Sequence, residues 1–192
     1  MSRKIIGITG SLATGKTAVA DMFVEKGAVK IDADEVAHEL LARDEDVRRK
    51  VIALFGEGIL TEGAVDRRKL AGIVFYDRRR LDELCHILHP PIIRLIREQV
   101  KLLEDKNVVI DAPLLVESGL HEFVDVVIVV TAGHDTQLNR AASRGITEEE
   151  AENIISSQLP LSEKIEFADY TIDNDSDINV TKKGVDEIWK KM

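Results

Sequence analysis

The sequence predicts an α/β fold built on a mostly parallel β-sheet. Three observations lead there. Short apolar runs rich in Val and Ile recur along the chain, separated by stretches of helical periodicity. A glycine-rich segment, GSLATGKT at 10–17, falls between the first apolar run and the first helical stretch. The second and third runs end in aspartate. That is where an open parallel sheet meets its ligands, outside the C-terminal ends of its strands.

Five strands are expected: KIIGIT at 4–9, AVKID at 28–32, NVVID at 107–111, VDVVIVV at 124–130 and DYTID at 169–173. They are continuously apolar, as central parallel strands covered on both faces are. The helix after GSLATGKT is expected over 16–26, and a last one over 177–191. The interval between the second and third strands holds about 75 residues, far more than one crossover helix needs. Its apolar-periodic stretches at 47–55, 70–75, 81–88 and 91–103 predict a helical insertion. Within it, His89-Pro90-Pro91 is expected to end one helix and start the next, since proline is tolerated at a helix start. A more polar excess at 134–168 carries Arg140 and Arg144 and predicts a mobile lid. The expected organisation is a sheet core of 1–34, 106–133 and 169–192, a helical insertion of 35–105 and a lid of 134–168.

Composition narrows the function. The chain has 192 residues, 44% of them hydrophobic and 32% charged, which suits one soluble domain with insertions. The net charge of -9 argues against a nucleic-acid or membrane-surface binder. Cys85 is the single cysteine, so no internal disulfide forms and a reducing, cytoplasmic setting fits. Nine residues precede Gly10, the first motif glycine, too few for a signal peptide, and no apolar run is long enough to span a bilayer. His38, His86, His121 and His134 show no metal spacing.

The segment Gly10-Ser11-Leu12-Ala13-Thr14-Gly15-Lys16-Thr17 fits G-x-x-x-x-G-K-[ST], in the strand–loop–helix setting that the motif requires. Gly10 and Gly15 allow backbone conformations that turn successive N–H groups toward phosphate oxygens. The following helix adds the positive end of its dipole. Lys16 is expected on the β- and γ-phosphates of ATP, and Thr17 on Mg²⁺. Asp34, just past the second strand, is expected to orient or deprotonate an attacking hydroxyl, with Asp32 as the alternative base and a helix cap as the alternative role. Asp111 ends the third strand and is expected to help hold Mg²⁺. After it, Ala112-Pro113-Leu114-Leu115-Val116-Glu117 is too apolar for a solvated turn and suggests a pocket lining or a loop tucked against the core. His89 either reaches a substrate phosphate or caps the preceding helix. Arg140 and Arg144, four apart, are expected to share a helix face suited to phosphoryl charge. A GTP switch would want an Asn-Lys-x-Asp segment, and none is present.

Beyond the phosphate loop, IDAD at 31–34, FGEGIL…DRRKLAGIVF within 55–75, Leu88-His89-Pro90 and Asp111–Glu117 resemble the dephospho-CoA kinase family. So do Gln137, Arg140 and Arg144, and the tail of Gln158, Lys164, Ala168-Asp169 and Asn174. The resemblance runs from residue 4 to about residue 189. It implies a P-loop kinase fold, a five-stranded parallel sheet flanked by helices with a helical acceptor-binding insertion and a lid. It implies transfer of the γ-phosphoryl of ATP, with Mg²⁺, to the ribose 3′-hydroxyl of dephospho-coenzyme A. Asp34, Lys16 and Arg140 are the implied catalytic residues. Residues 10–17 and Arg144 would bind nucleotide, and Thr17 and Asp111 the metal. Asp34, His89, Pro90, Asp111, Pro113, Leu114, Leu115 and Glu117 would face the acceptor. The partner is thus a small molecule, and the chain is expected to be a monomer or weak homo-oligomer. A kinase for another small acceptor, such as a nucleoside monophosphate, is the alternative. The sequence departs from the family pattern at Ser11, Ala13 and Thr14, where Gly, Gly and Ser are usual, and at His38, where an arginine is usual. Ala13 restricts the loop more than glycine would.

Overall fold

The structure, a computed structural model, describes residues 3–175 and 177–192. They divide into two compact units, Met1–Asp32 with Gln99–Met192, and Ala33–Glu98.

The first unit is built on five parallel strands. β1 (Ile5–Gly10) leads through a loop into α1 (Lys16–Glu25) and β2 (Val29–Asp32). The second unit follows with α2 (Ala33–Arg43), α3 (Glu45–Phe55), the two-residue strands β3 (Leu60–Thr61) and β4 (Ala64–Val65), α4 (Arg67–Val74) and α5 (Arg78–Lys101). The chain then returns to the sheet with β5 (Val108–Asp111) and β6 (Val126–Thr131). α6 (His134–Ala142), α7 (Glu148–Ser157) and α8 (Leu161–Ile165) precede β7 (Tyr170–Asp173) and α9 (Ile178–Lys191).

The strand order is β2-β5-β1-β6-β7, all pairs parallel. β1 is therefore central, and the loop that leaves it opens between β5 and β6. Register aligns Asp32 with Asp111, and Asp111 with Ile8, so two carboxylates end neighbouring strands at the edge where the glycine-rich loop begins. Both sheet faces are covered, which explains the continuous apolar runs. On one face Ile6, Ile8, Val109, Ile128 and Val130 pack with Val19 and Phe23 of α1 and Val185 and Ile188 of α9. On the other face a Cβ on Gly7 would sit 2.7 Å from Leu115, so the turn after β5 lies directly against β1.

Two local expectations change. The prolines do not divide a helix: α5 runs from Arg78 to Lys101 with Pro90 and Pro91 inside it. Leu84, Leu88 and Ile96 are buried along one stripe on both sides of the prolines. Burial of that stripe offsets the hydrogen bonds that proline removes. A hairpin, β3–β4, interrupts the expected helices, turning through Glu62 and Gly63 at φ 52 and 81. Its strands pair as Leu60↔Val65 and Thr61↔Ala64, too short to leave a period-2 pattern. The second strand stops at Asp32, and Asp34 lies in the first turn of α2.

Candidate active site

The site is assembled from the C-terminal ends of β1, β5, β6 and β7. The 10–17 loop is held by its own contacts. Thr14 is fully buried, and its hydroxyl donates to the Ser11 carbonyl at 3.0 Å. A Cβ on Gly10 would meet Thr14 Oγ1 at 2.5 Å and the Val130 carbonyl at 2.7 Å, so only glycine fits between loop and sheet. Gly15, at φ 90, is the N-cap of α1, and Lys16 and Thr17 form the first turn of that helix. Ala13 adopts φ 57, a conformation that costs a residue with a side chain about 1–2 kcal/mol. Its methyl group is buried in a small apolar cluster with Ala141 of α6 and Ala151 of α7, flanked by Leu12, Leu138 and Ile146. That burial offsets the backbone cost, and it brings the 134–168 segment onto the loop.

Lys16 Nζ lies 2.9 Å from Oδ1 of Asp111, whose side chain is fully buried. Neither Asp111 oxygen has a partner in hydrogen-bonding alignment, so this contact is an ion pair rather than an aligned hydrogen bond. The carboxylate keeps acceptor capacity.

Arg140 reaches the loop from α6. It donates to the carbonyls of Ala13 at 3.4 Å, Thr14 at 3.5 Å and Asn174 at 2.7 Å. These bonds leave the Nε hydrogen and one on Nη2 for another acceptor. Arg144 does not share a helix face with Arg140. α6 stops at Ala142, and Arg144 lies exposed in a turn closed by Gly145 N–H to Ala142 and Ile146 N–H to Ala141. Gly145 takes φ 78 there, the glycine ending common to helices.

Asn174 was not among the site residues expected from the sequence, yet it braces the loop. Its side-chain amide donates to the Thr14 carbonyl at 2.8 Å and its oxygen accepts from Thr181 of α9 at 2.9 Å. A Cβ on Gly15 would come within 2.1 Å of its amide nitrogen. Its place one residue past a strand end, and its match to the family's tail pattern, were the available signals.

The turn after β5 departs from a pocket lining in one respect. Leu115 is fully buried against Gly7, so it belongs to the core and not to a substrate-facing surface. Pro113 and Leu114 are partly exposed. Glu117 Oε1 accepts from Leu159 N–H at 3.0 Å and pairs with Lys164 Nζ at 2.9 Å. Lys164 is also fully buried, and its ammonium donates to the Pro113 carbonyl at 2.5 Å. Burial pushes the Lys164 pKa down, and Glu117, by charge and by hydrogen bond, opposes that shift.

In the second unit, Asp34 is exposed, His89 is half-buried within α5 and Pro90 is exposed. His38 is exposed on α2. Among the described residues no group of three or more His, Cys, Asp or Glu side chains is arranged to hold a metal. No helix among them is long and apolar enough to cross a membrane.

The chain is similar to known proteins along nearly its whole length. The dephospho-CoA kinase family model matches residues 4–179. The dephospho-CoA kinase of Aquifex aeolicus (strain VF5) is 40% identical over 191 residues, covering 98% of this chain and 97% of that protein. The dephospho-CoA kinase structure from Campylobacter jejuni superposes with TM-score 0.69 at 27% identity, covering 97% of this chain and 96% of that one. A shikimate kinase from Bacteroides thetaiotaomicron has TM-score 0.55 at 16% identity, covering 98% of this chain and 97% of the other, a likeness of fold alone. With the glycine-rich loop in place between β1 and α1, the fold is that of the P-loop kinases. On a family match that spans most of its length and a relative 40% identical over nearly the whole chain, the chain belongs to the dephospho-CoA kinase family.

Proposed function

We propose that this protein transfers the γ-phosphoryl group of ATP to the ribose 3′-hydroxyl of dephospho-coenzyme A, giving coenzyme A and ADP. The observation that carries this reading is the 10–17 loop, with its Lys16 paired to Asp111 and with Arg140 bonded to it, in a chain matched to the family over residues 4–179. Family membership supplies the acceptor, and the loop supplies the chemistry.

The residues divide the work. Backbone N–H groups of 10–17 and the start of α1 cradle the phosphates. Lys16 and the remaining donors of Arg140 face the charge that spreads over the transferring phosphoryl oxygens. Arg144, exposed beside them in sequence, adds nucleotide contact. Asp34, two residues past β2, orients the 3′-hydroxyl and takes its proton. In the second unit, His89 and Pro90 are acceptor contacts. In the first, Asp111, Pro113, Leu114 and Glu117 are acceptor contacts. The 134–168 segment acts as a lid, excluding water that would otherwise accept the phosphate.

Mg²⁺ fits the residues present. Such sites use one or two carboxylates completed by substrate phosphates and water. Asp111 is a buried carboxylate whose oxygens have acceptor capacity left, and Thr17 offers a hydroxyl in the first turn of α1. When bound, the ion offsets phosphate charge. The working setting is the cytoplasm, as a monomer or weak homo-oligomer.

The test is a coupled assay of ADP release with ATP against dephospho-coenzyme A and a panel of nucleoside monophosphates. Turnover should require dephospho-coenzyme A. Asp34→Asn should lower kcat by about 10²–10⁴-fold with ATP binding nearly intact. Turnover with a nucleoside monophosphate instead would replace the acceptor, and an active Asp34→Asn enzyme would remove Asp34 as the base.

A further inference from the structure

We propose that Lys164 is a positioning residue for phosphoryl transfer, a buried cationic pin that ties the turn after β5 to both the start of the phosphate loop and the segment leading into α8. The inference rests on the kinase reading above and adds to it a residue outside the loop, the strand-end carboxylates and the arginines.

The geometry is specific. Lys164 is fully buried, which is rare for lysine unless its charge is matched. Its ammonium has two acceptors, the Pro113 carbonyl at 2.5 Å and Glu117 Oε1 at 2.9 Å. Each acceptor also holds a second chain segment. Pro113 O accepts from Thr9 Oγ1 at 3.0 Å, and Thr9 immediately precedes Gly10, the first residue of the phosphate loop. Glu117 Oε1 accepts from Leu159 N–H at 3.0 Å, between α7 and α8. Three segments far apart in sequence therefore meet at two oxygens, and Lys164 bonds to both.

The consequence reaches the chemistry through short links. Pro113 lies two residues beyond Asp111, which pairs with Lys16 at 2.9 Å. The positive charge of Lys16 is close enough to act on Lys164. Charges thus alternate as two ion pairs, Lys16–Asp111 and Lys164–Glu117, along one turn. Replacing Lys164 by an apolar residue leaves the Glu117 carboxylate without its cation, beside an Oε2 that is already buried and unpartnered. The turn must then shift to hydrate it, and Asp111 and Thr9 shift with it. Small misplacements of this kind are felt in the catalytic step far more than in substrate binding.

The experiment compares Lys164→Met, Glu117→Gln and the double variant with the wild type, using ATP and dephospho-coenzyme A. Each protein's folded fraction is measured by circular dichroism at the assay temperature. Lys164→Met is expected to lower kcat per folded molecule by about 10- to 10²-fold, with KM for ATP moving less than about threefold. Glu117→Gln keeps the shape and removes the charge, so it should lower kcat in the same direction by a smaller factor. The double variant should be no worse than Lys164→Met, because the orphaned carboxylate is gone. If Lys164→Met does not fold, Glu117→Gln decides, and unchanged kcat in it overturns the proposal. Wild-type kcat per folded molecule in Lys164→Met, or fully multiplicative losses in the double variant, also overturns it. A wild-type protein inactive on dephospho-coenzyme A would instead sink the acceptor assignment.

Discussion

Gly15 shows how much one residue carries. Its φ of 90 and its contact with Asn174, where a Cβ would come within 2.1 Å, make two independent demands for glycine. Gly15→Ala is expected to displace Asn174 from the Thr14 carbonyl and to weaken ATP binding by about 5- to 10²-fold, since strain and clash together cost about 1–3 kcal/mol. Calorimetric titration with a non-hydrolysable ATP analogue checks this, and unchanged affinity would mean that the loop is not the nucleotide cradle. Ala13 makes the contrasting case. It stands where the family pattern has glycine and still adopts φ 57, because its methyl group is buried with Ala141 and Ala151. The loop motif was legible from eight contiguous residues. The apolar docking of Ala13 was not, because its partners come from α6 and α7, more than a hundred residues away.

Elements were legible where the signal was long and regular. The five sheet strands appear within a residue or two of their expected limits; β5, β1 and β6 are continuous apolar runs buried on both faces, and the edge strands β2 and β7 are only partly buried. The β3–β4 hairpin was not, as two-residue strands carry no period. Nor was the continuity of α5, where local proline chemistry predicts a break and burial of Leu84, Leu88 and Ile96 overrides it. Arg144 was misjudged by the same kind of rule, because i,i+4 spacing relates residues only while the helix lasts. The capping of α3 offers a test at this scale. Asp44 accepts from the N–H groups of Asp46 and Val47, both at 3.0 Å. Asp44→Ala should lower stability by about 1 kcal/mol, read from urea unfolding followed by circular dichroism. An unchanged midpoint would mean that the cap is redundant.

At the scale of the molecule, an acidic chain of net charge -9 is read as handling anionic substrates. It is equipped to do so by concentrating cations and loop N–H groups at one sheet edge rather than by overall charge. The core beneath that edge keeps the loop on its strand. Phe23 of α1 is fully buried and packs against Trp189 of α9, with ring centroids 6.1 Å apart. Phe23→Ala should cost about 3–5 kcal/mol, and Trp189, the single tryptophan, reports it by fluorescence during denaturation. A loss under about 1 kcal/mol would show that the helix pair repacks without it. Read without coordinates, the chain already disclosed its sheet, its phosphate loop and its family. Those signals are local, written in contiguous motifs and in the periodicity of neighbouring residues. The meeting of Arg140 and Asn174 at the loop, and of Lys164 and Glu117 beneath the turn after β5, came from the folded arrangement. These partners are separated by 34 to 160 positions, and strand order and register, not spacing along the chain, determine which of them meet.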